Sequence, residues 1–307
     1  MTAIRMIGGP AVPIRRKNGI PTLVLRPTDI SPLARLVRRV DAASDGETAA
    51  DSFATGFPSI DKWLGGGVRR GDLVVIGGEV GCGKSSLTLA MALRMSQAGT
   101  NAAFLTHEMS VERVMERALA IEGRARVDDI RQGTLDEFAR VAVGATAVRL
   151  RDRAPIIETL PMGGAEALGG VLRRTLDLQV AFVDPLQALA VGGRSQDEDL
   201  AAAILALKAL AIALNVAIVV TSHLHTSPTG RPNQRPTLDD FGALGAVKQH
   251  ADVVLGIYRE EMFQPNSGVD GATELLVLKN RNGNTGYVDL YFYKQWLRFE
   301  DMLDPDR

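Results

Sequence analysis

The sequence predicts an α/β domain built on a mainly parallel, twisted sheet with helices on both faces. From residue 53 onward, short apolar runs alternate with segments of helical periodicity, which is the pattern of a parallel sheet covered on both sides. Beyond residue 274 the apolar runs follow one another directly, and this predicts antiparallel strands that complete the sheet. We therefore divide the chain into an arm, residues 1–52, and an α/β domain, residues 53–307.

The strands of the predicted parallel part are short runs of Val, Ile, Leu, Ala and Phe. Such runs are typical of strands buried on both faces. The five runs are residues 73–76, 102–105, 180–183, 217–221 and 253–258. Segments with helical spacing are residues 84–98, 111–121 and 198–214. The antiparallel strands are expected at residues 274–278, 287–293 and 296–299.

The arm differs from the rest of the chain in charge. Residues 1–40 contain eight basic residues and one acidic residue, so they carry +7, whereas the remainder carries −8. Residues 1–29 are rich in Pro, Gly and Arg and are predicted to be a mobile arm or linker. The total charge of −1 creates no global field that would attract nucleic acid.

A short amphipathic helix is predicted within the arm, at about residues 31–41. Ser31 provides an N-cap and Pro32 the first helical position. The apolar residues that recur at helical spacing are Ile30, Leu33, Leu36, Val37 and Val40. A small, acidic stretch follows, so the helix has no local core. It either packs on its own domain or docks on a neighbouring subunit.

Composition excludes several classes of protein. The single cysteine, Cys82, excludes an internal disulfide and a Cys-rich zinc module. No apolar run approaches the ~18 residues of a membrane helix, and the N-terminus lacks a signal-peptide core. We therefore expect a cytoplasmic protein without a membrane partner.

The segment Gly78–Ser85 fits the pattern G-x-x-x-x-G-K-[ST] and lies between a predicted strand and a predicted helix. Glycines allow backbone N–H groups to surround phosphate oxygens. Lys84 would neutralise the β/γ phosphates and Ser85 would ligate Mg²⁺, so ATP and Mg²⁺ are the expected cofactors. The residues assigned to nucleotide binding are Gly78, Gly81, Gly83, Lys84, Ser85 and Ser86.

Three further polar residues follow predicted strands. Asp184 is suited to holding a water of the Mg²⁺ shell, Glu108 to polarising the attacking water, and His223 to sensing the γ-phosphate. Alternatively, Glu108 is a helix N-terminal charge and His223 a surface loop residue. Because ligands bind at the carboxyl ends of parallel strands, we expect these residues to form one ATP hydrolysis site with Lys84.

Two further basic segments each have two possible interpretations. Lys279 and Arg281 are two apart and point the same way on an extended chain, so they are either a solvated strand end or a trans arginine finger that reaches a neighbour's γ-phosphate. The polar loop at residues 225–236 contains Arg231 and Arg235. It either tracks a phosphate backbone or is a plain mobile loop.

From about residue 55 to residue 301 the chain resembles the C-terminal RecA-like ATPase domain of DnaB-type replicative helicases. The stretches that carry the resemblance are TGFPSIDKWLGGGVRRGDLVVIGGEVGCGKSS, HEMSVERVMERALA, RQGTLDEF, VAFVDPLQAL, RPTLDDFGALGAVKQHAD, and KNRNGNTGYVDLYF with RFED. The resemblance implies a RecA-like P-loop NTPase fold. It also implies catalytic Glu108, a Mg²⁺ carboxylate at Asp184, a coupling residue at Gln187, a γ-phosphate sensor at His223, and a trans pair at Lys279 and Arg281.

The chain departs from the family at two places. About fifty residues precede the match, too few for the family's N-terminal collar domain, so we expect no collar and no fused primase module. The family's loop for single-stranded DNA usually reads Arg-Glu-Ser-Gly, and here it reads Gly242-Ala243-Leu244-Gly245. The basic contact is missing, which leaves the Gly245 N–H and Lys248 as candidate DNA contacts.

The main hypothesis is a ring-forming ATPase, expected to be a homo-hexamer, that moves along single-stranded DNA as a helicase. A helicase loader and a primase are further partners implied by the resemblance. Two alternatives stay open: a RadA-like or RecA-type ATPase that remodels recombination or protein complexes, and a non-translocating regulatory ATPase subunit.

Overall fold

The computed structural model of the chain describes residues 14–17, 20–23, 31–44, 51–264 and 268–302. The chain forms two compact units, residues 1–51 and residues 52–307. Among the described residues, no helix is long and apolar enough to cross a membrane.

The first unit contains a hairpin and a helix. Strands β1 (Ile14–Lys17) and β2 (Ile20–Leu23) pair antiparallel, a pair of strands that the sequence analysis does not predict. The missed signal is Asn18-Gly19, a dipeptide that favours two-residue hairpin turns. Helix α1 (Pro32–Ser44) begins as predicted, because Ser31 Oγ accepts the Ala34 N–H at 3.2 Å.

The second unit is built on a nine-stranded sheet with the order β13-β12-β11-β10-β5-β9-β8-β6-β7. The six strands from β10 to β7 are parallel, and β11, β12 and β13 continue the sheet antiparallel. Strands β3 and β4 form a separate pair. The bounds are β3 (Ser52–Phe53), β4 (Val68–Arg69), β5 (Leu73–Gly78), β6 (Ala102–Thr106), β7 (Ile156–Thr159), β8 (Val180–Asp184), β9 (Ala217–His223), β10 (Val253–Tyr258), β11 (Ala272–Asn280), β12 (Gly286–Tyr293) and β13 (Arg298–Asp301).

Helices cover both faces of this sheet. Along β5, Val74 and Ile76 belong to one apolar core and Leu73 and Val75 to the other, because successive side chains of a strand point to opposite faces. This arrangement confirms the predicted α/β class. The helices are α2 (Pro58–Leu64), α3 (Lys84–Gln97), α4 (Val111–Gly123), α5 (Val127–Gln132), α6 (Glu137–Arg153), α7 (Gly164–Arg174), α8 (Gln196–Leu214) and α9 (Ala246–His250).

The sequence analysis does not predict every element of the structure. In the second unit, the helices and strands without a prediction are β3, α2, β4, α9 and the segment that contains α5, α6, β7 and α7. The antiparallel strand predicted at residues 296–299 is wrong at its start, since Lys294–Trp296 is a 3-10 turn and β13 begins at Arg298. The Trp296 ring stacks on Tyr293, with centroids 5.1 Å apart, and this contact holds the turn.

Strand register brings the predicted site residues to one edge of the sheet. Asp184 at the end of β8 lies opposite Thr106 at the end of β6. His223 at the end of β9 lies opposite Gly78 at the end of β5. The loop before α3 begins where β5 ends, so the phosphate-binding motif opens at the same edge.

We expect the substitution Phe104→Ala to lower the free energy of unfolding by about 3–5 kcal/mol. Phe104 is fully buried in β6, and truncation of its ring would leave a cavity beneath α3 and α4. Phe138→Ala is the matched control, because that ring is 87% exposed on α6 and its loss should change stability by no more than ~0.5 kcal/mol. Urea unfolding of both variants measures the difference, and equal losses would contradict this core assignment.

Candidate functional site

Lys84 forms hydrogen bonds across the phosphate-binding loop. Gly81 and Gly83 have φ of +82° and +105°, conformations that favour glycine, and α3 begins directly after them. The Lys84 side chain is buried, and its Nζ donates to the carbonyl oxygens of Gly78 at 2.9 Å and Glu79 at 3.0 Å. The positive charge is thus held inside the loop, where phosphate oxygens would approach.

Asp184 is the buried carboxylate of the site. Its Oδ1 accepts hydrogen bonds from Ser85 Oγ at 3.1 Å and Thr221 Oγ1 at 2.5 Å. Burial raises the pKa of Asp184, and these two hydrogen bonds oppose the increase. Asp184 Oδ2 is also buried and has no hydrogen-bond partner among the described residues, so one oxygen of the carboxylate remains available.

This donor set fits Mg²⁺. A serine hydroxyl and one carboxylate oxygen are hard oxygen ligands, and Mg²⁺ at nucleotide sites takes few protein ligands because water and phosphate oxygens supply the others. The unpartnered Asp184 Oδ2 beside Ser85 provides an acceptor for a metal-bound water. Ser85 and Asp184 are therefore the residues that could hold the metal.

Glu108 and His223 face each other across the mouth of the site. Glu108 follows β6 and His223 ends β9, and His223 Nε2 lies 3.6 Å from Glu108 Oε1. The backbone N–H of His223 donates to Gln187 Oε1 at 3.2 Å, and Gln187 Nε2 donates to Ser222 Oγ at 3.3 Å. Gln187 is therefore bound to the end of β9, directly behind the residue in the sensor position.

Lys84, Ser85, Glu108 and His223 line a cleft of about 640 Å³ whose walls are strongly basic. Four cationic side chains that the sequence analysis did not single out reach it: Arg113, Arg117, Arg259 and Lys294. Burial lowers the pKa of Arg117, and the negative charges of Asp184 and Glu108 oppose the decrease. The spacing of Arg113 and Arg117, one helical turn apart in α4, is the signal that could have identified them.

A buried ion pair, Arg259 with Glu261, contacts the phosphate-binding loop. Arg259 NH1 lies 3.4 Å from the Gly81 carbonyl oxygen, and its guanidinium is paired with the Glu261 carboxylate. Glu261 Oε2 also accepts from Lys294 Nζ at 2.8 Å and from the Gly271 N–H at 3.0 Å. Burial acts against ionisation, but hydrogen bonds from Lys294, Arg259 and Gly271 outweigh it and lower the pKa of Glu261 to about 2.

Lys279 and Arg281 lie at the opposite edge of the sheet. Because β11 runs antiparallel to β10, Lys279 pairs with Val254 near the amino end of β10. Its Nζ donates to the Lys248 carbonyl at 2.7 Å, and Arg281 NH1 lies 3.1 Å from Asp252 Oδ1. The structure therefore does not bring this pair to the cleft of its own chain.

The basic residues predicted to contact DNA are engaged within the chain. Arg231 forms two hydrogen bonds to Asp240, at 2.9 and 2.8 Å. Arg235 is paired with Glu274 and lies over the Tyr258 ring, 4.7 Å from its centroid. These contacts attach two arginines of the 225–236 loop to the rest of the domain.

The segment in the place of the family's DNA loop has a constrained backbone. Ala243 and Leu244 have φ of +52° and +51°, which is uncommon for residues other than glycine. The Gly245 N–H, which we expected to be offered to a phosphate, donates to the Gly242 carbonyl at 3.0 Å. Lys248 Nζ is 3.0 Å from Asp239 Oδ1 on an exposed surface.

Comparison with known proteins identifies the family. A model of the family described as DnaB-like helicase C-terminal domain matches residues 52–301. The chain belongs to this family. The replicative DNA helicase DnaB of Leifsonia xyli subsp. xyli is 28% identical over 272 residues, or 87% of this chain and 59% of that protein. The replicative DNA helicase DnaB of Geobacillus stearothermophilus is 27% identical over 267 residues, or 84% and 58%.

Solved structures share the fold of this DnaB-like domain. One described as an ATPase domain has a TM-score of 0.81 at 21% identity and covers 90% of this chain and 100% of that chain. One described as a DnaB-like replicative helicase and its interactions with primase has a TM-score of 0.78 at 21% identity and covers 90% and 68%. These likenesses confirm the predicted RecA-like fold. The chain spans about 60% of the length of the curated relatives above.

We expect Glu261→Gln to destabilise the DnaB-like domain by about 3 kcal/mol at pH 7, because the change leaves the buried Arg259 without its charged partner. The unfolded chain takes up the Glu261 proton near pH 4.5, whereas the folded protein keeps it ionised down to about pH 2. The stabilisation is therefore complete above pH 4.5 and is lost as the pH falls from 4.5 towards 2.

The measurement is urea unfolding of wild type and variant at pH 7 and at pH 3.5. A smaller difference at pH 3.5 is the expected result. A difference that is the same at both pH values would contradict the assigned pKa. Glu166→Gln on the surface helix α7 is the control and should change stability little at either pH.

Proposed function

We propose that this chain is the ATPase motor of a replicative DNA helicase, which hydrolyses ATP with Mg²⁺ at the interfaces of a ring, a homo-hexamer, and moves along single-stranded DNA. One observation carries the proposal: the phosphate-handling residues lie at one edge of the sheet, and Lys279 and Arg281 lie at the other. With the proposed roles of these residues, a complete catalytic set would combine groups from two copies of the chain. The names of the relatives, replicative DNA helicases, support the same conclusion.

The residues of the loop would bind the triphosphate. Lys84 would exchange its two carbonyl acceptors for oxygens of the β and γ phosphates, and backbone N–H groups at the start of α3 would donate to the phosphates. Ser85 and, through a water molecule, Asp184 would hold Mg²⁺, which neutralises the charge that develops on the phosphates. Arg259 would keep the loop in shape through the carbonyl groups of Gly81 and Cys82.

Glu108 would orient the attacking water. Its side chain is about half exposed at the mouth of the cleft and has a carboxylate oxygen that can accept a proton. His223 beside it would contact the γ-phosphate, and Gln187 would pass a displacement of His223 into the loop that follows β8. Arg281 and Lys279 of a neighbouring subunit would complete the charge around the γ-phosphate, a contribution of ~10³-fold in rate where such residues are known.

The DNA strand would contact the segment from Gly242 to Lys248. Lys248 is the most accessible cation there, since its ion pair with Asp239 is exposed and exposed pairs are weak. Arg231 and Arg235 would contribute only if phosphates replaced their carboxylate partners.

The proposal also covers the arm and the partners. Residues 1–52 would be an arm ahead of the ATPase domain, and α1 within it would dock on a neighbouring subunit. A helicase loader and a primase would be further partners. Since a replicative helicase acts on the chromosome, we expect the protein in the cytoplasm.

The two alternative functions are less well supported. A recombination or protein-remodelling ATPase would share the loop, Asp184 and Glu108, so the site itself does not separate it from a helicase. A regulatory subunit without turnover would not need Glu108 and Arg281. The helicase names of the relatives and these intact residues favour the motor.

The proposal is tested by steady-state ATP hydrolysis with and without single-stranded DNA over a series of salt concentrations. We expect stimulation by DNA that fades as salt rises, because cation release accompanies phosphate binding. Lys84→Ala should lower turnover about 10²-fold or more. Lys62 is an exposed lysine of α2, and the control variant Lys62→Ala should keep the wild-type turnover. Turnover that ignores DNA would contradict the motor and favour the remodelling or regulatory ATPase.

Arg281→Ala should lower turnover about 10³-fold and leave ATP affinity nearly unchanged, because Lys84 and the rest of the phosphate loop, which would bind the triphosphate, are intact in the variant. Mixing this variant with Glu108→Gln should restore part of the activity, since some interfaces then combine an intact Glu108 with an intact Arg281. Turnover of Arg281→Ala near the wild-type rate, or a mixture as inactive as its components, would count against a shared site.

A further inference from the structure

Asp252, a buried carboxylate at the edge of the sheet opposite the nucleotide cleft, contacts Arg281 twice. The residue is 2% exposed and lies directly before β10. Its Oδ1 is 3.1 Å from Arg281 NH1, and its backbone carbonyl accepts the Arg281 N–H at 2.8 Å. Both the backbone and the side chain of Arg281 are therefore held by one residue.

The other oxygen of Asp252 is tied to the core of the domain. Oδ2 accepts the N–H of Leu73, the first residue of β5, at 2.8 Å, and it accepts Lys208 Nζ at 2.5 Å. Lys208 comes from α8 and also donates to the Gly71 carbonyl at 2.8 Å. The carboxylate thus has a fixed position and orientation, with Oδ1 directed outwards to the guanidinium.

Arg281 keeps free donors in this arrangement. Its side chain is about half exposed, and the guanidinium carries five N–H donors. One nitrogen faces Asp252 and the other terminal nitrogen lies 3.5 Å from the Gln249 carbonyl. A long arginine on an exposed strand end would otherwise sample many rotamers, so the contact with Asp252 selects the direction in which the remaining donors point.

We propose that Asp252 is the positioning residue of the trans arginine: it holds Arg281 in the pose that reaches the γ-phosphate of a neighbouring subunit. This inference rests on the proposed trans role of Arg281. Lys279 has a different support, since its Nζ is held by the carbonyl groups of Lys248 and Gln249. The direct contacts of Asp252 are therefore with Arg281 and not with Lys279, although both cations lie near the Gln249 carbonyl.

The variant Asp252→Asn tests this assignment. An amide has only one oxygen, and with that oxygen directed at Leu73 N–H and Lys208, its NH₂ group faces the guanidinium and repels it. We expect kcat for ATP to fall at least tenfold, while KM for ATP changes less than twofold. The matched control is Asp199→Asn, which alters another buried carboxylate, 5% exposed and bonded to the Gly192 N–H at 2.8 Å; it should retain kcat.

Mixing with Glu108→Gln distinguishes positioning from a general structural defect. In the mixture the intact cleft of an Asp252→Asn subunit can receive Arg281 from a Glu108→Gln subunit, so turnover should rise as it does for Arg281→Ala. If Asp252→Asn yields too little folded protein, Asp252→Glu replaces it, because this change keeps the charge for Lys208 but moves the oxygens by one methylene.

Two outcomes would overturn the inference while the trans role of Arg281 stands. One is an Asp252 variant with kcat within twofold of the Asp199→Asn control, although Arg281→Ala is inactive. The other is a defect that mixing does not relieve, although the same mixing relieves Arg281→Ala. Turnover of Arg281→Ala at the wild-type rate would instead refute the proposed trans site, and the role of Asp252 with it.

Discussion

The buried carboxylate of Asp184 is the constraint on which the nucleotide site depends. A charged group that is removed from water must be compensated by nearby donors, and here hydroxyl groups from two elements converge on one oxygen, Ser85 from α3 and Thr221 from β9. Those contacts fix the start of α3 against the ends of β8 and β9. The phosphate loop therefore takes its position from the sheet, and the other residues of the candidate site are arranged around it.

At the opposite edge of the sheet, a second buried aspartate is also held by donors from several elements. Asp252 joins the start of β5, helix α8 and the residue after β11, as Asp184 joins elements at the carboxyl edge. Strand β5, about 20 Å long by the usual rise per residue, separates the two carboxylates. Strand β5 thus connects the edge proposed to bind phosphates with the edge where Lys279 and Arg281 lie.

The sequence predicted the strands and the loop well because their signals are local. The run before Gly78 and the G-x-x-x-x-G-K-[ST] pattern each depend on adjacent residues, and so does the N-cap at Ser31. Asp252, Thr221 and Arg259 were missed because their roles depend on residues 29 to 178 positions away in the chain. The ion pairs of Arg231 and Arg235 were invisible for the same reason: a basic residue in a polar loop has the same local pattern whether a carboxylate from another element reaches it or not.

Helix α9 links two surfaces that the ring would use for different subunits. It begins directly after Gly245, inside the segment proposed to contact DNA, and the carbonyl groups of Lys248 and Gln249 near its end accept Lys279 and Arg281. The short helix α9 is therefore all that separates Gly245 from the carbonyl groups that hold Lys279 and Arg281. In the ring proposed above, a displacement of this segment in one subunit would move the two cations that the subunit presents to its neighbour.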